Sequence, residues 1–351
     1  MKYQLITATS MGVRITPANY QPVGVGNLYT MTSTSAESNV LNVAASLGKR
    51  TLVLTRFVKD SPIAQFIKND LRRRNIEYVG PDIEQKNPWD CRHQFNIADT
   101  GYGMRGPRVY NDRAGEVGRG ICAEDFDLKH IFEEEGVEII HMSGLFAAMS
   151  PDTGRTCLKL AEYAKANGTR ISFDMNYRAS FWKGREEELR RIFSEIASKG
   201  DILIGNEEDF QLALGIEGPE AGGKGLSDKI ESFKEMIMRV RAQYPNAGTF
   251  ATTLREVINA NQHNWGAIML MGDDWYVAEP RPIPVLDRIG GGDGFVSGLL
   301  YGVISGWAPE DCLHFGWATG AMATTMVEDF ASPVDEDQVW NVWKGNARVK
   351  R

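Results

Sequence analysis

VEIIHMSG (137–144), TRISFDMN (169–176) and DILIGN (201–206) are three short apolar runs separated by polar-faced helical stretches from Ser150 to Asn167 and from Arg185 to Lys199. Short, near-continuous apolar strands alternating with helices of this length predict a parallel sheet covered on both faces, and so an α/β fold. Such sheets hold their ligands beyond the carboxyl ends of the strands. The polar residues just past each run therefore become candidates: Asp174, Asn176 and Arg178 after the second, Asn206, Glu207 and Glu208 after the third.

Working outward, the amino-terminal third breaks this rhythm twice. Residues 12–33 carry β-prone residues and turn formers without a helical period, and residues 88–119 read as short strands joined by a glycine-rich turn. Helices are predicted between them, around Ala36–Leu47 and Ser61–Asn75; in the first, Val40, Val43, Ala44 and Leu47 form the apolar face and Gly48 the stop. The economical reading is a large α/β domain made of residues 1–11, 34–87 and 120–351, with 12–33 and 88–119 forming a small β-sheet over its edge. Residues 217–227 read as a surface loop.

Composition narrows the function. The 351 residues are 42% hydrophobic and 24% charged, ordinary for a folded soluble chain. Thirty-nine basic against 46 acidic residues leave a net charge of −7, which argues against nucleic acid as a partner. No apolar run reaches the roughly 18 residues that a membrane span requires, and the polar start MKYQLITATS is no signal peptide, so a cytoplasmic protein without membrane partners is expected. Cysteines 91, 122, 157 and 312 and the five histidines are scattered, giving neither a disulfide framework nor a zinc site.

Three glycine-rich segments invite a phosphate reading. GYGMRG (101–106) spells the dinucleotide fingerprint, but Pro107 and RVY follow it where a helix would have to start, so a hairpin turn is expected. GPEAGGK (218–224) approaches a P-loop but continues with Gly225, where that motif needs Ser or Thr. DRIGGGDGFVSGLLYGVISG (287–306) is different. Phe295, Val296, Leu299, Leu300, Val303 and Ile304 recur at helical spacing, so Gly290, Gly291 and Gly292 sit at a helix start. Unpaired amides and the helix dipole make such a start an anion cradle. Asp293, inside it, is placed to accept a hydroxyl proton during phosphoryl transfer.

These residues resemble the ribokinase family of sugar kinases, also called the phosphofructokinase-B family. Asp287-Arg-Ile-Gly-Gly-Gly-Asp293-Gly-Phe295 is similar to its D-T-x-G-A-G-D-x-F signature, AESNVLNVAASLG (36–48) to its Asn-containing first helix, and NEEDF (206–210) to its N-E-E segment. FDMNYRASFW (173–182), RVYNDRAG (108–115) and residues 58–77 resemble the 2-keto-3-deoxygluconate kinase branch. The resemblance implies a ribokinase-like parallel-sheet sandwich with a small β-sheet lid, ATP and Mg²⁺, and a homo-oligomer formed through the lid. It further implies Asp293 as catalytic base and Arg178, Arg113, Asn39 and Ser35 as ligands of a small sugar acid. Glu207 and Asn206 would hold Mg²⁺ through water, and Asp287 a monovalent cation. Guanidinium groups suit a sugar acid because they clamp carboxylates with paired hydrogen bonds.

The chain departs from the family at three places. Thr34-Ser35 stand where Gly-Gly is usual, Thr9-Ser10 where the opening strand carries Gly-Asp or Gly-Glu, and LREVINANQHNW (254–265) where Gly-Glu-x-Gly is expected near the nucleotide. Two alternatives thus stay open beside the sugar-acid kinase: a kinase for another sugar, and a catalytically weak paralogue that only binds sugar or nucleotide.

Overall fold

The structure is a computed structural model and describes residues 2–218 and 226–348, without the side chains of residues 207 and 226–229. In chain order the strands are β1 (Tyr3–Ala8), β2 (Gly12–Pro17), β3 (Tyr29–Thr34), β4 (Thr51–Leu54), β5 (Phe57–Val58), β6 (Glu77–Val79), β7 (Asp82–Ile83) and β8 (Phe95–Ala98). There follow β9 (Val109–Asp112), β10 (Val137–Ser143), β11 (Arg170–Asp174), β12 (Ile202–Ile204), β13 (Thr249–Asn259), β14 (Gln262–Met271) and β15 (Asp274–Pro284).

Nine of them form the central sheet, in the order β15-β14-β13-β12-β11-β10-β1-β4-β6. The three apolar runs pair as parallel neighbours: Ile139 to Ser143 lie opposite Arg170 to Asp174, and Ser172 to Asp174 opposite Ile202 to Ile204. Successive residues feed opposite faces, as the pleat requires. Ile6, Leu52, Ile140 and Phe173 join the apolar layer on one face, while Leu5, Val53, Ile139 and Ile202 join the layer on the other. The helices Pro151–Ala166 and Glu186–Lys199 pack into the first layer; Ala36–Ser46, Gly291–Ile304 and Pro309–Ala323 pack into the second.

One edge differs from the expected all-parallel sheet. β13 continues past its parallel pairing with β12, turns at Ala260–Asn261 and runs antiparallel through β14 and β15. A turn of two residues can join only antiparallel strands. The segment LREVINANQHNW is thus the hairpin of this edge.

The two irregular stretches supply a second sheet, ordered β3-β2-β8-β9. GYGMRG is a turn between β8 and the antiparallel β9, closed by Tyr102 N–H donating to Arg105 O at 2.9 Å; no helix follows it. Of the expected loop 217–227, residues 219–225, most of GPEAGGK, lie outside the described residues. No helix among the described residues is long and apolar enough to cross a membrane, and all four cysteines are free thiols.

Candidate active site

The parallel strands share one direction, so their carboxyl ends open into a common cavity of about 720 Å³. Its floor carries Asp174 at the end of β11, Asn206 past β12, Thr252 and Thr253 on β13, and the helix start at Gly290. The small sheet supplies the opposite wall. Asn96 on β8 and Asn111 on β9 are cross-strand partners, and both line the cavity.

The three cradle glycines turn out to have three different surroundings. Gly290 has φ +85°, and a Cβ there would lie 1.9 Å from Asp329 O, so only glycine fits this turn. Gly291 is buried; its Cβ would face Thr324 Cγ2 at 3.1 Å. At Gly292 nothing stands within 4 Å of a Cβ, and the residue faces the cavity. Close approach of a ligand is therefore possible at Gly292, whereas Gly291 packs against the neighbouring helix. Gly294 N–H is the first amide to bond back, to Gly290 O at 2.8 Å. The amides of Gly291, Gly292 and Asp293 precede it and lack an intrahelical acceptor.

Asp293 borders the cradle and meets the helix Ala36–Ser46. Asn39, on the helix Ala36–Ser46, donates its amide to Asp293 Oδ2 at 2.9 Å. Burial pushes the Asp293 carboxyl up to about 7; Asp329 and Glu37 add to the rise, while Asn39 and Arg178 oppose it. A carboxylate near 7 is suited to taking a proton at neutral pH. Asp174 also rises well above its ordinary value, through burial first and then through Asp209 and Asp293.

Arg178 and Arg113 both reach the cavity wall. Arg178 is exposed, and its Nη1 donates to Tyr177 O at 2.7 Å. Arg113 is tied to the buried Glu116 at 2.8 Å, which also accepts from Ser10 Oγ at 2.6 Å. Ser35 lines the cavity too, but its hydroxyl caps the helix by accepting from Ser38 N–H at 3.0 Å. Thr34 donates to Asp329 Oδ2 at 2.6 Å. The Thr34-Ser35 departure therefore serves a hydrogen-bonded turn at the cavity rim.

The expected monovalent cation at Asp287 does not fit. Asp287 is fully buried; its Oδ2 accepts from Arg14, and its Oδ1 from the Ile289 amide at 3.0 Å. Arg14, on β2, also donates to Asp329 Oδ1. With Thr34 on Asp329 Oδ2, all four carboxylate oxygens have protein donors. A guanidinium thus supplies the positive charge at this spot.

For Mg²⁺ the surroundings do fit. Asp174 and Asp209 are carboxylates on the cavity wall whose mutual repulsion a cation would relieve. Among the described residues no three His, Cys, Asp or Glu side chains form a metal cage. Asn206 caps its helix reciprocally with Asp209, at 2.9 and 3.0 Å. Glu207 opens that helix, but its side chain lies outside the described residues.

Sequence reasoning missed Arg14, Asp209, Arg288 and Asp329. Asp209 was legible in hindsight as the third residue after Asn206, the capping-box position. Nothing local marks Arg14 or Asp329, because their roles come from contacts across 273 and 315 positions of chain.

The sequence pattern described as pfkB family carbohydrate kinase matches residues 123–333. A 5-dehydro-2-deoxygluconokinase of Clostridium perfringens is 24% identical over 92% of this chain and 87% of its own length. A 2-dehydro-3-deoxygalactonokinase of Haloferax volcanii is 25% identical over 98% of both chains. In structure, a 2-dehydro-3-deoxygluconokinase from Thermotoga maritima superimposes with a TM-score of 0.87 at 24% identity, covering 98% of this chain and 99% of its own. The fold is therefore ribokinase-like.

Proposed function

Because the chain belongs to the pfkB family of carbohydrate kinases, we propose that it transfers the γ-phosphoryl group of ATP to a primary hydroxyl of a six-carbon keto-deoxy sugar acid, with 2-keto-3-deoxygluconate as first candidate. The observation that carries this reading is one shared cavity. It joins a carboxylate of pKa about 7, a helix start open at Gly292, and the exposed Arg178, which has no carboxylate ion pair among the described residues. Relatives named for 5-dehydro-2-deoxygluconate and 2-dehydro-3-deoxygalactonate support a keto-deoxy acid as the substrate class.

In the reaction, Arg178 and Arg113 hold the acid's carboxylate, with Asn39 and Ser35 lining the same cavity. Asp293 accepts the hydroxyl proton as the substrate oxygen bonds to the γ-phosphorus and the bond to the β–γ bridging oxygen breaks, releasing ADP. The amides at Gly291, Gly292 and Asp293, in the turn shaped by Gly290, stabilise the charge of the moving phosphoryl group. Asn206, together with Glu207 as the family resemblance implies, would hold Mg²⁺ through water, and the ion would neutralise charge on the phosphates. The small sheet acts as a lid that excludes water from the transfer. Its outward face presents Met31 and Tyr110, 42% and 64% exposed, in register with Ile15 and Ile97. That apolar row supports a homo-oligomer joined lid to lid.

The test is ADP release with a panel of 2-keto-3-deoxygluconate, 2-keto-3-deoxygalactonate, 5-keto-2-deoxygluconate, fructose and ribose. Turnover on a keto-deoxy acid at least tenfold above that on the neutral sugars is the expected result, on the scale of one charge-assisted contact, which is worth roughly tenfold or more. A preference for fructose or ribose reassigns the substrate, and no turnover on any sugar favours the paralogue that only binds.

A further inference from the structure

Two arginines on the cavity wall have no role in the account so far. Arg255 lies on β13 just beyond Thr252 and Thr253, and Arg288 lies two residues before Gly290; both line the same cavity as Asp293. Among the described residues neither has a hydrogen bond or ion pair to a carboxylate. They are neighbours in the cavity: desolvation and then Arg288 lower the Arg255 pKa to about 10, although Arg255 keeps an exposed surface. His263, on the adjacent β14, is driven down to about 4 by burial and by the same two arginines, and its Nε2 is buried without a partner. Among the described residues none of these three basic groups forms an ion pair with an acid.

The other two arginines of the cavity have carboxyls around them, although Arg178 itself makes no ion pair among the described residues. Arg113 is paired with Glu116, and Arg178 acts on the carboxyls of Asp174, Asp209 and Asp293. A monovalent carboxylate adds little to be neutralised at that end. At the Arg255 end, two permanent charges adjoin the positive pole of a helix. A ligand that matches them carries several negative charges on a compact group. The sheet order also separates the two ends: β13 lies beyond β12, on the far side from β11 and Arg178.

We propose that Arg255 and Arg288 form a second wall of the anion cradle that grips the terminal phosphates of the nucleoside triphosphate donor. The inference rests on the ATP-dependent kinase reading and adds to it the groups that hold the donor. Both guanidinium groups would bring positive charge to the phosphate oxygens in the cavity that the helix start also lines. The hairpin at residues 254–265, a departure from the family pattern, then carries donor recognition in place of the missing glycine-rich turn.

Binding of ATP, ADP and inorganic tripolyphosphate, each without metal, to the wild type, Arg255→Gln, Arg288→Gln, the double variant and Arg255→Lys tests this. Each Gln variant should weaken ATP and tripolyphosphate by roughly 10- to 100-fold, the scale of a lost charge-assisted contact. Lys should retain part of the affinity. Binding of the sugar acid should be unaffected, KM for ATP should rise while KM for the acid stays, and the melting temperature should hold or increase as the repulsion is relieved. Unchanged polyphosphate affinity in the double variant overturns the proposal, as does a loss confined to the sugar acid. A variant that fails to fold also counts against it, because two mutually repelling arginines are not expected to support the fold. Tripolyphosphate binding needs no acceptor. If it depends on the two arginines while no sugar is phosphorylated, the anion site stands and the kinase reading falls.

Discussion

The two ends of the cavity use the same residue in opposite electrostatic settings. Where β11 meets the small sheet, Arg178 and Arg113 sit among Asp174, Asp209 and Glu116. Where β13 meets the cradle loop, Arg255 and Arg288 sit beside each other and beside His263. A balanced arginine offers shape and paired hydrogen bonds to a singly charged group, whereas an unbalanced pair waits for charge. The charge state around a guanidinium thus indicates how much charge its ligand brings.

Asp293 lies between the two ends and is the sharpest place to break the comparison. Asp293→Asn keeps the Asn39 neighbour and the cradle, so both substrates should still bind. Turnover should drop by about 10²–10⁴, the usual contribution of a general base. Binding titrations beside single-turnover rates separate these effects, and wild-type turnover in the variant would remove Asp293 from the reaction.

At the acid end, Arg178→Ala should lose about 1.5–3 kcal/mol, or roughly 10- to 100-fold in kcat/KM, on a keto-deoxy acid and almost nothing on a neutral ketose. Arg178→Lys should recover a fraction, since ammonium lacks the two-pronged geometry. Equal losses on both substrates would make Arg178 a structural residue and erase the difference between the two ends.

The pH profile follows from burial at the midpoint. Asp293 must be deprotonated to act, and its pKa is raised to about 7. The rate should therefore be level above 7 and fall by about tenfold for each pH unit below it. Asn39→Leu removes a hydrogen bond that lowers this pKa, so its acid limb should move to higher pH. A limb that stays in place in Asn39→Leu would assign the titration to another group. The smallest expected effect is at the base of the cradle: replacing potassium by a large organic cation should leave kcat unchanged, because Arg14 and the Ile289 amide already occupy the two oxygens of Asp287. Activation by potassium would contradict that.

The parallel core was legible because near-continuous apolar runs such as VEIIHMSG need cover on both faces, and only a helix-flanked sheet provides it. The helix start at Gly290–Asp293 was legible because three glycines before an apolar helical period have few other uses. The antiparallel edge was not: LREVINANQHNW mixes polar and apolar residues, and Ala260–Asn261 is an unremarkable pair to read as a two-residue turn. Within the cradle, three identical letters concealed three environments, since the crowding of Gly290 by Asp329 and the openness at Gly292 depend on residues far away in the chain. Arg14 was hidden for the same reason, reading simply as a polar residue between Val13 and Ile15.

Arg14 also sets a schedule for the growing chain. Its second carboxylate, Asp329, is 315 residues downstream, so at ordinary synthesis rates of about 5–20 residues per second the ribosome needs roughly 16 to 63 seconds to deliver it. Until then one of the two charges that balance Arg14 is missing, and a buried ion without its partners is strongly disfavoured. β2 therefore cannot settle against the cradle loop during that interval. The turn at Gly290 is completed only when nearly the whole chain has emerged, so the nascent protein passes most of its synthesis without a finished cavity.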